Sequence, residues 1–158
     1  MIWGCIIKGR KGPLVVLEYP SGKGGGMNST QYQEQVLEAH LKAFYAQMAK
    51  ERGSVKFQQD NAASHVSKTT RQWLENNKIK LFSHPASSPD LSAIEPLWHE
   101  LKTYIRKLPS PPTSLQQLKS AVFEAWEAIP VESIDKQVKR MPDRVEAVIK
   151  AKEGHTRF

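Results

Sequence analysis

Apolar residues crowd the first seventeen positions and then recur at helical spacing along most of the remaining chain. Met1 to Ile7 is an apolar run, Lys8-Gly9-Arg10-Lys11-Gly12-Pro13 carries turn chemistry, and Leu14 to Leu17 is apolar again. This pattern predicts a β-hairpin with a basic tip. The runs are continuous, not alternating, so both strands are expected to be covered on two faces. Ser21 to Gly26 is glycine-rich and reads as a surface loop, because it lacks phosphate-loop spacing and no Lys-Ser/Thr ending follows. Asn28 or Ser29 can cap a helix over about residues 30 to 50, with Leu37, Leu41, Phe44, Tyr45 and Met48 on one face. A helix there fits a crossover that covers the sheet. His40 has no metal-ligand partner at helical spacing and reads as a flank residue.

Val55 and Phe57 alternate with polar residues and predict a short strand that stops at Asp60. A helix begins near Ser64, carries Val66, Thr70, Trp73 and Leu74, and ends near Asn76-Asn77, residues that tolerate a left-handed cap. Ile79 to Phe82 predicts another short strand, and a loop from His84 to Ser92 leads to a helix starting at Glu95. Leu97, Trp98, Leu101, Ile105 and Leu108 form its apolar stripe, with Lys102, Arg106 and Lys107 on the other side. Pro109, Pro111 and Pro112 stop it. Thr113-Ser114-Leu115-Gln116 reads as a capping box opening a helix that buries Leu115, Leu118, Val122, Ala125, Trp126 and Ile129. Pro130 breaks it. Ile134, Val138 and Met141 mark a further helix, and Val145, Val148 and Ile149 a last one after Pro142. The tail is basic at Lys150, Lys152, His155 and Arg157. No internal repeat or linker divides the 158 residues, which predicts one domain over positions 1–158.

A net charge of +7 favours a polyanionic partner, although many proteins are basic for solubility alone. The single cysteine, Cys5, excludes an internal disulfide and any cysteine-based zinc site within the chain. Its apolar neighbours predict a buried, inert thiol. No apolar stretch is long enough to span a membrane, and Lys8 interrupts the N-terminal apolar run early, unlike a signal peptide. An intracellular protein is expected.

The candidate chemistry lies in two carboxylates. Asp60 closes a strand, where open α/β sheets place their reactive groups, and Glu95 opens a helix. Positions 61 to 94, thirty-four residues, separate them. Two carboxylates converging from different elements can hold magnesium ions about 4 Å apart for in-line phosphodiester chemistry. Asn61 and His65 would lie beside that site and could orient water or phosphate. Structural alternatives stand next to this reading. Ser92-x-x-Glu95 is itself a capping-box pattern, and Asp60-Asn61 could be an ordinary turn after a strand. Asp90 follows Pro89 and reads as a turn or cap residue.

The stretches Gln59-Asp60-Asn61-Ala62-Ala63-Ser64-His65 and His84-Pro85-Ala86-Ser87-Ser88-Pro89-Asp90-Leu91-Ser92-Ala93-Ile94-Glu95-Pro96-Leu97-Trp98 resemble the second and third acidic motifs of mariner-superfamily transposases. The spacing matches the family form that ends in Glu. Trp3-Gly4-Cys5-Ile6 and Ala151-Lys152-Glu153-Gly154-His155-Thr156 look like further landmarks of that family. The resemblance implies an α/β, RNase H-like mixed sheet flanked by helices, with extra C-terminal helices. It implies a magnesium- or manganese-dependent DNA endonuclease and strand transferase, with two ions held by Asp60, Glu95 and a first aspartate. That aspartate sits in the family on a central strand preceding the opening hairpin, a strand this chain does not include. Hence two expectations arise: Met1–Ile7 pairs directly with Val55–Gln59, or a slot stays open between them; and the chain alone is inactive. The family further implies DNA as partner, both transposon ends and target, a homodimer, and the nucleus of a eukaryotic host. Lys8, Arg10, Lys11, Lys68, Arg71, Lys102 and Arg106 are candidates for phosphate contacts, each with a solvated surface charge as its alternative. The rival function is a domesticated, non-catalytic nucleic-acid-binding remnant. A retroviral-type integrase is a weaker rival, because the wording around Glu95 differs.

Overall fold

A computed structural model describes residues 1–19, 26–85, 88–151 and 156. They form two compact units, Met1–Gly4 with Val15–Ser88, and Cys5–Leu14 with Pro89–Phe158. The glycine-rich stretch at 21–25 and the tail at 152–155 and 157 lie outside the described residues.

Strands β1 (Ile2–Ile7) and β2 (Arg10–Val16) make the opening hairpin. Lys8-Gly9 is its whole turn, and Gly9 takes φ 77°, the positive φ that a type II turn places at its third residue and that favours glycine. So tight a turn starts β2 at Arg10 instead of Leu14, and Arg10 and Lys11 become strand residues. Leu14, Val15 and Leu17 are buried, whereas β1 is only half-buried along its length, so the expected two-sided cover is incomplete.

The mixed sheet is smaller than expected. Among the described residues the sheet contains β1 and β2 only. Segments 55–59 and 79–82 are extended, but they meet in a single parallel bridge, Phe57 to Leu81. Phe57 N–H donates to Lys80 O at 2.8 Å and Phe82 N–H to Phe57 O at 2.8 Å. Exposure alternates from Val55 to Asp60, as the hydropathy pattern predicts. Alternation sets which side chains face inward; a ladder needs a neighbouring strand in register, which alternation does not supply. The direct pairing of Met1–Ile7 with Val55–Gln59 is not formed among the described residues.

In the first unit one long helical segment covers the hairpin's open end. It runs through α1 (Ser29–Tyr32), a π-helical stretch (Gln33–Leu41) and α2 (Lys42–Arg52). Asn28 is its cap, in a complete capping box with Gln31. Tyr32, Val36, Leu37 and Leu41 pack with Val15, Leu17, Leu74 and Ile79, and Trp3, Tyr45, Phe57 and Trp73 close around them. Two short helices follow, α3 (Ala63–Val66) and α4 (Lys68–Asn76). The left-handed residue after α4 is Lys78, at φ 57°, and not an asparagine. Ile79 N–H reaches Leu74 O and Lys78 N–H reaches Glu75 O, both at 2.9 Å. That bond pair is a Schellman ending, which fixes the left-handed position one residue later than Asn77.

The second unit is helical around α5 (Glu95–Arg106), α6 (Leu115–Ala128), α7 (Val131–Lys139) and α8 (Met141–Ala151). Leu97 and Leu101 of α5 are buried, as are Ala121, Val122, Ala125 and Trp126 of α6. The Trp98 and Trp126 rings stack at 5.6 Å. Two details depart from the sequence pattern. The cap of α6 is Ser114, which accepts from Gln117 N, while Gln117 Oε1 accepts from Thr113 N–H at 2.8 Å; the cap lies one residue later than expected, and the return bond goes to the residue before it. Leu115 and Leu118, expected in the core, are 69% and 42% exposed, and burial begins at Ala121. In α8 the apolar Val145 and Ile149 are exposed, and Arg144 is buried instead. No helix among the described residues is long and apolar enough to cross a membrane.

Candidate active site

Asp60 ends the bridged segment and starts the turn into α3. Its Oδ1 accepts from Ala62 N–H at 3.0 Å and from His65 Nδ1–H at 2.6 Å. The first bond is the turn that the sequence allowed. The second is a charge-assisted contact, and it fixes the plane of the carboxylate. Oδ2 carries no hydrogen bond among the described residues. The Asp60 side chain is 69% exposed against 16% for His65, so a half-buried imidazole holds an outward-facing carboxylate.

His65 is itself held from several sides. The Tyr32 ring lies 4.3 Å from its ring, tilted by 40°. Gln59 Nε2 donates to His65 O at 3.3 Å, and Gln59 Oε1 accepts from Tyr32 Oη at 2.7 Å. Buried Thr70 donates to Ser64 O at 2.7 Å. Ser67 breaks the helix at ψ 152° and caps α4 through Thr70 N, so α3 is a separate turn presenting His65. Asn61 is exposed, and its Nδ2 donates to His84 O at 3.1 Å. It ties down the start of the His84 loop. Gln58 Nε2 lies 2.8 Å from His84 Nδ1 and reinforces that tie.

Glu95 is the first residue of α5, and it is exposed. The capping-box alternative is not formed. Ile94 is the cap residue, without a side-chain cap bond, and Ser92 N–H donates to Pro89 O at 2.8 Å. With its would-be amide partner already used, the Glu95 carboxylate borders an open cavity of about 280 Å³ lined by Pro89, Asp90, Pro96 and Arg144. Asp90 sits in a 3₁₀ turn, Pro89–Leu91, as its sequence context suggests. Its carboxylate accepts from Thr156 Oγ1 at 2.6 Å, and its carbonyl accepts from Arg144 Nη1 at 2.9 Å. Burial and neighbouring Arg140 lower the pKa of the Arg144 guanidinium, and Asp90 partly restores it.

Asp60 belongs to the first unit and Glu95 to the second. Both are exposed carboxylates with hard oxygens, the donor type that magnesium and manganese take. Among the described residues no group of three or more His, Cys, Asp or Glu is gathered for a metal.

The basic candidates divide. Lys68 and Arg71 are exposed on α4, and Lys102 and Arg106 on α5. Lys8 is exposed at the hairpin turn, and Arg10 is half-buried in β2. Lys11 is engaged inside its unit: its Nζ donates to Trp126 O at 3.0 Å and Glu127 O at 2.8 Å. A cation at those carbonyls complements the C-terminal end of α6. Sequence reasoning missed Tyr32, Gln59, Thr70, His84 and Arg144. Helical spacing marks Thr70 only as a residue of the apolar stripe, and nothing local flags the others.

The model for the DDE superfamily endonuclease family matches residues 22–119. The chain is 36% identical over 159 residues to the transposable element Tc1 transposase of Caenorhabditis elegans, covering 100% of this chain and 54% of that protein. To the Tc3 transposase of the same organism it is 35% identical over 150 residues, covering 95% of this chain and 43% of that protein. The chain thus spans about half the length of these relatives. Its fold is similar to the Mos1 transposase catalytic domain solved with raltegravir and Mg, at TM-score 0.78 and 21% identity, covering 98% of this chain and 75% of that one. It is also similar to the Mos1 mariner paired end complex with Mn, at TM-score 0.67 and 22% identity, covering 83% and 38% respectively. The fold shared with that catalytic domain is RNase H-like.

Proposed function

This chain belongs to the DDE superfamily endonucleases, in the manner of mariner/Tc1 transposase catalytic domains, and from that premise we propose that Asp60 and Glu95 are two of the acidic ligands of a DNA-cleaving and strand-transferring centre. The observation that carries the proposal is the Asp60 carboxylate, exposed, with one oxygen fixed by His65 and Ala62 and the other left for a ligand. Magnesium or manganese, when bound by these acids, supplies Lewis-acid activation of the phosphodiester and of the attacking oxygen. The protein's own contribution is orientation. His65 holds the Asp60 carboxylate in one plane, Asn61 holds the adjoining His84 loop, and the first turn of α5 presents Glu95. Lys8, Arg10, Lys68, Arg71, Lys102 and Arg106 are proposed to neutralise DNA phosphates, at transposon ends and at target. The same reading carries a two-ion site, a dimer and a nuclear setting.

Two carboxylates hold such ions less firmly than a full acidic set, so weak metal binding and no nicking by the chain alone are expected. Manganese titration by calorimetry tests this. Asp60→Asn and Glu95→Gln should each weaken binding by about tenfold or more. Manganese binding that neither substitution alters overturns the assignment. Metal-independent binding of plasmid DNA alongside that result would favour a non-catalytic nucleic-acid-binding role.

A further inference from the structure

Tyr32 lies two elements away from Asp60 in sequence and is 1% exposed, yet it touches the Asp60 turn by two routes. Its ring packs on the His65 imidazole at 4.3 Å, and its hydroxyl donates to Gln59 at 2.7 Å. Gln59 in turn donates to the His65 carbonyl. Both routes end on the residue whose Nδ1–H fixes Asp60. An imidazole bound by one hydrogen bond can still pivot about its ring axis; a ring packed on its face removes that freedom. We propose that Tyr32 is a positioning residue for the Asp60 carboxylate, acting through the His65 ring. It is buried, so it does not reach a ligand itself. The adjoining Gln33 strengthens the case, because its Nε2 donates to Thr69 Oγ1 at 3.1 Å and Thr70 Oγ1 at 3.3 Å. The junction of α1 and the π-helical stretch thus grips the His65 turn through α4 as well as through Tyr32. The π-helical stretch begins at Gln33, and π-helical turns are frequent at functional sites. For metal binding the proposal rests on Asp60 being a ligand; for the orientation of His65 it does not.

The test uses the whole chain with Tyr32→Phe, Tyr32→Leu and Tyr32→Met, and reads two quantities. Long-range proton–nitrogen spectra of His65, recorded without metal, report which ring nitrogen carries the proton. Manganese titration reports the Asp60 ligand. Tyr32→Phe keeps the ring and should leave the His65 signal as in wild type, with affinity within about threefold. Tyr32→Leu should shift His65 toward averaged tautomers and weaken manganese by about tenfold. Circular dichroism checks that each variant folds; where Tyr32→Leu does not, Tyr32→Met decides, since it also removes the ring and fills more of its space. A wild-type His65 signal in the folded Leu variant, or in Tyr32→Met where that one decides, overturns the proposal. Unaltered manganese binding in Asp60→Ala would remove the ligand assignment instead, while the His65 spectra still judge Tyr32.

Discussion

Replacing Arg144 with methionine tests whether a buried cation holds the turn before Glu95. Arg144 is 2% exposed, so its loss is not masked by solvent. Its Nη1 donates to the Asp90 carbonyl at 2.9 Å, a good charged hydrogen bond, which contributes about 1.5–3 kcal/mol. The Nη2 contact to Gln137 Oε1 at 3.4 Å is long and adds about 0.5 kcal/mol at most. Methionine fills much of the same space, so the packing loss is small. Against these stands the desolvation of the guanidinium, which the substitution relieves, the same burial that lowers its pKa. The polar atoms left behind, the Asp90 carbonyl and the Gln137 amide, lose a donor inside the unit, and that penalty makes the sign unfavourable. The net expectation is a loss of about 2 kcal/mol, or about 4–8 °C in Tm for a chain of this size. Thermal unfolding by circular dichroism measures it. Asp90→Ala is the control, because it removes the Thr156 contact and keeps the carbonyl; it should cost under about 1 kcal/mol. A methionine variant as stable as wild type would refute the reasoning, since the guanidinium would then gain no more from Asp90 than it loses on burial.

Lys78 holds the left-handed position of a Schellman ending, where a side chain is strained and glycine is not. Lys78→Gly should therefore raise stability by about 0.5–1 kcal/mol, read in the same melt; a less stable variant would refute it. Burial pushes the Cys5 thiol up from 9.0 to about 12. The folded protein therefore keeps its thiol proton where the unfolded chain loses it, and stability from this group is present below pH 9 and is lost as pH rises toward about 12. Iodoacetamide at pH 9 should label the native chain at least about a hundredfold more slowly than the urea-unfolded chain, and equal rates would contradict the burial of the sulfur.

The helices were legible because their signals are local. The capping pair Asn28 and Gln31, the stripe Leu97-Leu101, and the proline stops after Leu108 and at Pro130 act within one or two turns. Local signals also misled where the deciding neighbour was distant. Leu115, Leu118 and Ile149 look like core residues by spacing and are exposed, while Arg144 looks like a surface charge and is buried. An apolar stripe says which side chains share a face; only the packed partner decides whether that face is covered. The same limit reduced two expected strands to one Phe57–Leu81 bridge.

For the candidate site the division falls in the same place. Element ends brought Asp60 and Glu95 forward beside plain turn and cap readings, and the resemblance to the mariner-superfamily motifs singled them out together with Asn61 and His65. Which oxygen of Asp60 is held, and which is left outward, was decided by the fold. Tyr32, Gln59 and Thr70 reach the His65 turn across sequence separations of 33, 6 and 6 residues, through ring packing and hydrogen bonds that exist only once α1, α3 and α4 are packed. Composition can name a ligand, but the angle at which it is presented depends on contacts between segments that have no signature in either segment alone.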